Sequence, residues 1–253
     1  SVKIDCVFLH GWAMNSAVWK PCEALMPDSI TPVYVDLPGH GENALHASPQ
    51  TASKLDDYVE CVASKIQRPA LVVGWSLGGL VALRLAERYP HKVSRLLLVA
   101  SSPRFVQASD WTCAVEADVF DQFASMLQKD VAATIRRFLA LQVRGTSASM
   151  KTVKQLQQAL SDRGTPAITT MINGLNILSS SDLRSSLNNM QVPVNWLLGD
   201  RDAIVPVELA PVLRDLLPQA DIQVLEGAGH APFISHPEVF AQLIDNLALP
   251  YSS

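Results

Sequence analysis

A serine lies between two glycines at the point where an apolar strand pattern gives way to a helix pattern. The segment Gly74-Trp75-Ser76-Leu77-Gly78 follows the apolar run Ala70 to Val73 and opens a helical pattern. A serine on such a sharp turn has a strained backbone, and the residues two positions away must lack a Cβ because the chain passes close by. The motif therefore predicts a serine nucleophile at a strand-to-helix turn. The alternative is a tight turn in which Ser76 only caps the helix.

The remaining sequence alternates short apolar runs with helix-length patterns, which is typical of a mostly parallel central sheet flanked by helices. Val and Leu fill the short runs without alternation, so these strands are expected to be buried on both faces. The predicted strands are Lys3 to Leu9, Pro32 to Asp36, Ala70 to Gly74, Arg95 to Ala100, Val194 to Gly199 and Ile222 to Glu226. The predicted helices are Thr51 to Ile66, Leu77 to Tyr89, Pro206 to Leu217 and Pro237 to Leu247.

The alternation stops between about Phe105 and Leu178, where apolar residues recur at spacings of three and four. Such spacing is typical of amphipathic helices, and it runs through Val119 to Leu127, Val131 to Leu141 and Val153 to Leu160. We interpret residues 105–178 as a helical lid inserted into an α/β core formed by residues 1–104 and 179–253. The serines Ser179 to Ser181 are predicted to form a hinge back to the sheet.

Composition excludes several function classes. The 253 residues carry 20 basic and 24 acidic side chains, a formal charge of -4, which argues against general nucleic-acid binding. The longest strongly apolar stretch, Pro69 to Leu83, falls short of the roughly 18 residues that cross a bilayer, so no membrane partner is expected. The four cysteines lack metal-ligand spacing, and the first residues lack a secretory signal pattern. We therefore expect a cytoplasmic protein with reduced thiols, and a monomer.

A serine nucleophile needs a histidine base and a carboxylate that orients the histidine. When the serine occupies such a turn, the acid and then the histidine follow on loops after later strands. Asp202 comes just after the strand Val194 to Gly199, and His230 comes just after Ile222 to Glu226. Asp200 competes for the acid role, but it is nearer the strand end and is expected to shape the turn. This chemistry needs no metal and no cofactor.

Acyl transfer also needs two donors for the oxygen that becomes negative in the tetrahedral intermediate. One is predicted to be the N–H of Leu77, at the start of the helix after the serine. The other is predicted to be the N–H of Trp12, in the loop after the first strand, where Gly11 lets the backbone turn. Among the other histidines, His10 is expected to order this loop. His40, His46 and His91 are expected to be solvated, and His236 to stand at a helix start.

Together these residues resemble the α/β-hydrolase superfamily over essentially the whole chain. The resemblance is carried by His10-Gly11, Asp36-Leu37-Pro38-Gly39-His40-Gly41, the serine motif, the pattern Gly199-x-x-Asp202, and Gly229-His230. It implies an α/β-hydrolase fold. The chain has room for one strand before His10, where this superfamily usually has two or three.

Longer segments are similar to the family of pimeloyl-acyl carrier protein methyl ester carboxylesterases of biotin synthesis. These segments are 9–12, 74–82, 99–103, 137–142 and 230–237. The resemblance implies hydrolysis of the methyl ester of pimeloyl-acyl carrier protein, with release of methanol and with the carrier protein as partner. It also implies these substrate contacts: Trp12, Ser76, Leu77, Phe138, Leu139, Ala140, Leu141, Gln142 and His230.

The predicted lid carries a basic patch although the chain as a whole is acidic. Residues 131–160 contain five basic side chains and no acid: Arg136, Arg137, Arg144, Lys151 and Lys154. Carrier proteins are strongly acidic, so Arg137, Arg144, Lys151 and Lys154 are predicted to dock the carrier. The alternative is a solvated helix face. Apolar lid residues are predicted both to wall an acyl tunnel and to serve as core: Phe120, Phe123, Met126, Phe138, Leu139 and Leu141.

Other functions are compatible with the same motifs. A hydrolase-fold lyase of menaquinone synthesis has similar motifs and would use the three residues for elimination. A short-chain carboxylesterase would act on other esters. A ligand receptor on this scaffold would retain its ligand without turnover.

Overall fold

Six parallel strands form one central sheet in the computed structural model, which describes residues 2–44, 52–147 and 149–248. The strands follow the order β2-β1-β3-β4-β5-β6 across the sheet. Their bounds lie within two residues of the predicted ones: β1 Ile4–Leu9, β2 Ile30–Val35, β3 Ala70–Trp75, β4 Val93–Val99, β5 Val194–Gly199 and β6 Asp221–Leu225. The predicted α/β class with a parallel sheet is confirmed.

Apolar layers cover both faces of the sheet because the central strands are apolar on both sides. In β3, Val72 packs into the layer that contains Leu80 and Trp196, whereas Val73 packs into the opposite layer with Phe8 and Phe233. The edge strands β2 and β6 are partly exposed, so the prediction of two buried faces is wrong for these two. A strand at the edge of the sheet has a neighbour on one side only, and part of its surface stays in water.

Helices connect the strands, as parallel pairing requires. The core helices are α1 Lys20–Glu23, α2 Leu55–Ala63, α3 Leu77–Arg88, α8 Arg184–Leu187, α9 Leu209–Leu216, α10 Pro232–Ser235 and α11 Pro237–Leu247. Short 3₁₀ turns lie at Ser16–Trp19, Gly41–Ala44 and Pro90–Lys92. Helix α2 is shorter than predicted, and its predicted first residue, Thr51, lies outside the described residues, as does His46. No described helix combines the length and apolar character that a bilayer crossing requires.

Four helices follow one another between β4 and β5, where the sequence predicts the lid. They are α4 Val119–Lys129, α5 Val131–Val143, α6 Ser149–Arg163 and α7 Ile168–Ser180. The predicted hinge at Ser179 to Ser181 is wrong, because Ser179 and Ser180 form the last turn of α7. Both serine hydroxyls donate to the Asn176 carbonyl one turn earlier, which satisfies that carbonyl at the helix end. The division into lid and core stays a prediction.

Candidate active site

The serine motif forms the turn between β3 and α3. Ser76 has φ 55° and ψ −116°, a strained conformation for a residue with a side chain. A Cβ on Gly74 would lie 2.4 Å from the Gly78 oxygen, and one on Gly78 would lie 2.3 Å from the Leu9 oxygen. Both glycines are therefore required by close backbone contact, for the reason that the sequence motif indicates.

The structure brings Ser76, His230 and Asp202 together at the carboxyl ends of the strands. His230 Nε2 lies 2.8 Å from Ser76 Oγ, and His230 Nδ1 lies 2.9 Å from Asp202 Oδ2. All three residues are buried. An ionised carboxylate only accepts hydrogen bonds, so Nδ1 carries the proton and Nε2 is free to take the proton of the serine hydroxyl. The arrangement can activate an alcohol for attack on a carbonyl.

Asp202, and not Asp200, contacts the histidine. The other oxygen of Asp202, Oδ1, accepts from the backbone N–H groups of Ile204 and Val205, which fixes the carboxylate. Asp200 instead accepts from the N–H of Gly227 and joins the two loops that follow β5 and β6. Its position matches the predicted turn-shaping role.

Two further contacts hold the histidine loop, and the sequence reasoning missed both. The indole Nε1 of Trp75 donates to the His230 carbonyl at 2.7 Å. The His230 N–H donates to the carbonyl of Gln142 at 3.0 Å, in the last turn of α5. The first contact comes from a residue inside the serine motif. The second joins segments distant in sequence, and no sequence signal indicates it.

The two predicted oxyanion donors belong to segments next to the serine. Leu77 is the first residue of α3, so its N–H has no acceptor within the helix and lies at the positive end of the helix dipole. The loop with Trp12 packs against the serine turn: a Cβ added to Gly11 would lie only 3.4 Å from Ser76 Cβ. The next residues of this loop are held tightly, and Ala13 has a φ of 63°. Both residues stay predicted donors.

His10 and His40 lie beneath this loop, fully buried, with ring centroids 5.1 Å apart. His10 bonds the loop backbone, in agreement with its predicted ordering role. The prediction that His40 is solvated is wrong, because its ring is fully buried against the rings of His10 and Tyr58. Burial lowers the pKa of His10, and burial together with the nearby His10 lowers the pKa of His40 to about 3. His91 is exposed and His236 precedes α11, as predicted.

Aromatic side chains from helices α4 and α5 cover Trp12. The Phe138 ring of α5 lies 4.7 Å from the Trp12 ring in an edge-on arrangement, and Phe123 of α4 lies 5.8 Å from Phe138. The Trp12 indole N–H donates to the Met171 carbonyl of α7. A Cβ on Gly174 would lie 2.6 Å from the Trp12 ring. Three helices between β4 and β5 thus contact the loop beside the serine.

The predicted substrate contacts on α5 lie in different surroundings. Phe138 faces Trp12, whereas Leu139 packs into the opposite apolar layer with Leu156 and Ala159. Ala140 is exposed, and Leu141 is partly exposed in a groove. The Gln142 side chain is buried, and neither its Nε2 nor its Oε1 has a hydrogen-bond partner in the structure. Of the predicted tunnel residues, Phe123, Met126 and Leu141 line this groove.

The predicted docking residues all lie at the surface. Arg137, Arg144, Lys151 and Lys154 are exposed, as is Arg136. Arg137 and Arg144 flank a groove of about 440 Å³ between α4 and α5, with an apolar floor that includes Phe123 and Leu141. A second groove of about 450 Å³ lies on the other side of Arg144 and includes Lys154. Within the described part of the chain, no cluster of His, Cys, Asp and Glu could hold a metal ion.

Comparison with known proteins agrees with this geometry. Residues 6–243 match the model of the alpha/beta hydrolase family. The pimeloyl-[acyl-carrier protein] methyl ester esterase of Sodalis glossinidius is 39% identical over 240 residues, covering 95% of this chain and 91% of that protein. The protein of the same name from Vibrio parahaemolyticus is 40% identical over 243 residues, covering 95% and 93%. An esterase structure from Exiguobacterium antarcticum has a TM-score of 0.86 at 21% identity, covering 98% and 92%.

Proposed function

The chain belongs to the alpha/beta hydrolase family and is a carboxylic ester hydrolase, and on this premise we propose that it hydrolyses the methyl ester of pimeloyl-acyl carrier protein in biotin synthesis. The observation that carries the proposal is the hydrogen-bond chain from Ser76 through His230 to Asp202. The names of the relatives supply the substrate class. A cytoplasmic location and a monomeric state are part of the proposal.

In the proposed reaction, Ser76 Oγ attacks the carbonyl carbon of the methyl ester while His230 Nε2 takes the hydroxyl proton. The negative oxygen is stabilised by the N–H groups of Trp12 and Leu77. Collapse of the tetrahedral intermediate breaks the bond to methoxide, which leaves as methanol with the proton from His230. Water then attacks the acyl-enzyme with His230 again as base, and the free carboxylic acid is released from Ser76. The carrier thioester stays intact.

The acyl chain is proposed to run along Trp12 and Phe138 towards Gln142, the predicted substrate contacts that are buried on the same side of α5 as Trp12 or beside the histidine loop. Phe138 contacts Trp12, which stands beside the serine turn, so an apolar chain there would replace contacts between aromatic rings. Gln142 offers one donor group and one acceptor, both buried and unpartnered. An unpaired buried polar atom costs about 1–3 kcal/mol, so a polar group of the substrate that forms a hydrogen bond with Gln142 would raise the affinity of the protein for the substrate.

The carrier protein is proposed to dock on the exposed basic side chains Arg137, Arg144, Lys151 and Lys154. Arg137 lies on α5, the helix whose last turn contacts His230, and Arg144 directly follows its last residue, so the docked carrier would stand close to the site. No described acidic side chain pairs with either arginine among the ion pairs of the structure. Unpaired cations at the surface attract an acidic partner over distances near the Debye length of about 10 Å.

The test compares carrier-bound and free methyl esters of graded chain length, with methanol release as the readout. We expect the highest kcat/KM for the carrier-bound pimeloyl ester and no methanol from Ser76→Ala. Equal kcat/KM for short free esters would favour a general short-chain carboxylesterase. Elimination products without methanol would favour a lyase, and binding without turnover would favour a receptor.

Docking has a separate test with a matched control. The double variant with Arg137→Glu and Arg144→Glu should raise KM for the carrier-bound ester about tenfold or more and leave hydrolysis of p-nitrophenyl butyrate unchanged. Lys3→Glu reverses an exposed charge before β1, at the end of the sheet opposite the site, and should change neither substrate. Equal effects of the two variants on the carrier-bound ester would remove the docking proposal.

A further inference from the structure

Both backbone polar groups of His230 are bonded to segments outside its own loop. The His230 N–H donates to the Gln142 carbonyl at 3.0 Å, and the His230 carbonyl accepts from the indole Nε1 of Trp75 at 2.7 Å. The loop between β6 and α10 contains Gly227 and Gly229, and glycines restrict a backbone less than other residues do. The position of the His230 backbone therefore depends on bonds from outside the loop.

The helix that follows does not supply a donor for the His230 carbonyl. The N–H groups of Ile234 and Ser235 in α10 both donate to the Ala231 carbonyl, one residue after the histidine. Pro232, the first residue of α10, has no N–H group. The Trp75 indole thus takes the place that a helix N–H would otherwise fill.

The Trp75 ring is itself held in place. Trp75 is the buried last residue of β3 and directly precedes Ser76. Its ring packs edge-on against Phe233 of α10, with ring centroids 4.8 Å apart, and a Cβ added to Gly11 would lie only 3.2 Å from the ring. An indole has a single N–H and no acceptor, so a ring that cannot move donates in one direction only. The residue next to Ser76 thus fixes the carbonyl of His230.

Resting on the proposed function, we infer that Trp75 is a positioning residue that keeps His230 Nε2 within hydrogen-bond distance of Ser76 Oγ. Nε2 lies on the side of the imidazole ring away from the main chain, so a rotation of the His230 backbone is magnified at that atom. The two atoms are 2.8 Å apart. A misplacement of about 1 Å can cost about 10²-fold in rate. Trp75 acts through the His230 carbonyl and does not touch the substrate.

The alternative is a bond that only satisfies two buried polar groups, which would contribute to stability and leave kcat unchanged. Replacing Trp75 by 3-benzothienylalanine through amber suppression separates the two roles, because sulfur takes the place of the indole N–H and the bicyclic ring keeps its shape. The same replacement at Trp111 is the matched control. The buried Trp111 indole also donates to a backbone carbonyl, that of Arg104 at 3.0 Å, in the segment before α4.

We expect the replacement of Trp75 to lower kcat for p-nitrophenyl butyrate by at least about tenfold with KM within about twofold, because the contacts with the ester are unchanged. The replacement of Trp111 should leave kcat and KM within about twofold of the parent values. Equal kcat in the two proteins, or a change in KM alone, would overturn the inference. A parent protein that does not hydrolyse the ester would instead refute the proposed function.

Proton NMR reports on the His230 ring without any substrate. The proton between His230 Nδ1 and Asp202, which are 2.9 Å apart, should give a signal far downfield of the amide protons. We expect this signal to shift or broaden when Trp75 is replaced and to stay unchanged when Trp111 is replaced, with both proteins folded by their melting temperatures. A signal that is the same in the parent and in the Trp75 replacement would overturn the inference.

A measurement on the parent protein needs no replacement to fold. With ¹⁵N-labelled tryptophan, the Trp75 indole N–H should exchange with solvent far more slowly than the indole N–H of a free tryptophan. Exchange at the rate of a free indole would overturn the inference, because the His230 carbonyl would then lack a lasting donor.

Discussion

Replacing Asp202 by asparagine tests the histidine tautomer, and the structure determines how the amide must orient. The two N–H groups of Ile204 and Val205 donate to Oδ1 of Asp202 at 2.8 and 3.0 Å. An asparagine would keep its oxygen there, because its amino group would face two donors in the other orientation. The amino group then points at His230 Nδ1 and requires that nitrogen to be unprotonated. The proton moves to Nε2, which can no longer accept from Ser76.

The wrong tautomer removes the base, for which a loss of about 10⁴ in kcat is typical, or about 5 kcal/mol of transition-state stabilisation. We expect this loss for Asp202→Asn with p-nitrophenyl butyrate, while Asp200→Asn, which keeps an oxygen for the Gly227 N–H, stays within about threefold of the parent. Circular dichroism and the melting temperature check that both variants are folded. An Asp202→Asn protein with a tenth or more of the parent kcat would refute the reasoning, as would an equal loss in Asp200→Asn.

Two further predictions concern stability, and urea unfolding measures both. The pKa of the buried His40 is about 3, so below pH 6.5 the unfolded chain binds a proton that the folded chain does not. The free energy of unfolding therefore decreases as the pH is lowered. Between pH 6.5 and 5 this decrease should reach about 2 kcal/mol. The free energy of unfolding of His40→Asn should depend less steeply on pH than that of the parent. Identical slopes for the two proteins would contradict the prediction. Gly74→Ala should lower the free energy of unfolding by about 3 kcal/mol or more and abolish activity, because the added Cβ would overlap the Gly78 oxygen. Gly145→Ala should lower the free energy of unfolding by only about 1 kcal/mol, because Gly145 has a φ of 79° but open space around it. Equal costs would contradict the steric argument.

The sequence is sufficient to predict the sheet and the serine turn because their causes are local. Apolar runs of strand length are buried wherever helices cover both faces, and the glycines at 74 and 78 are required by backbone contact within one turn. The order of Asp202 and His230 along the chain follows from the order of the strands. The predicted fold class and family are confirmed for these reasons.

The errors concern burial and packing between distant segments. His40 lies among polar neighbours in sequence, but tertiary packing against His10 and Tyr58 buries it completely. The bond from the His230 N–H to the Gln142 carbonyl depends on how the helix α5 lies over the sheet. A backbone carbonyl carries no signal in residue type, so no pattern of side chains could indicate this contact.

A fluorophosphonate probe and mass spectrometry test directly whether Ser76 is the nucleophile, because the probe labels the serine that is activated by a base. We expect one labelled site, Ser76, with labelling at least about 10³-fold slower in His230→Ala because the hydroxyl has lost its base. Labelling at another serine such as Ser101, or an unchanged rate in His230→Ala, would contradict it.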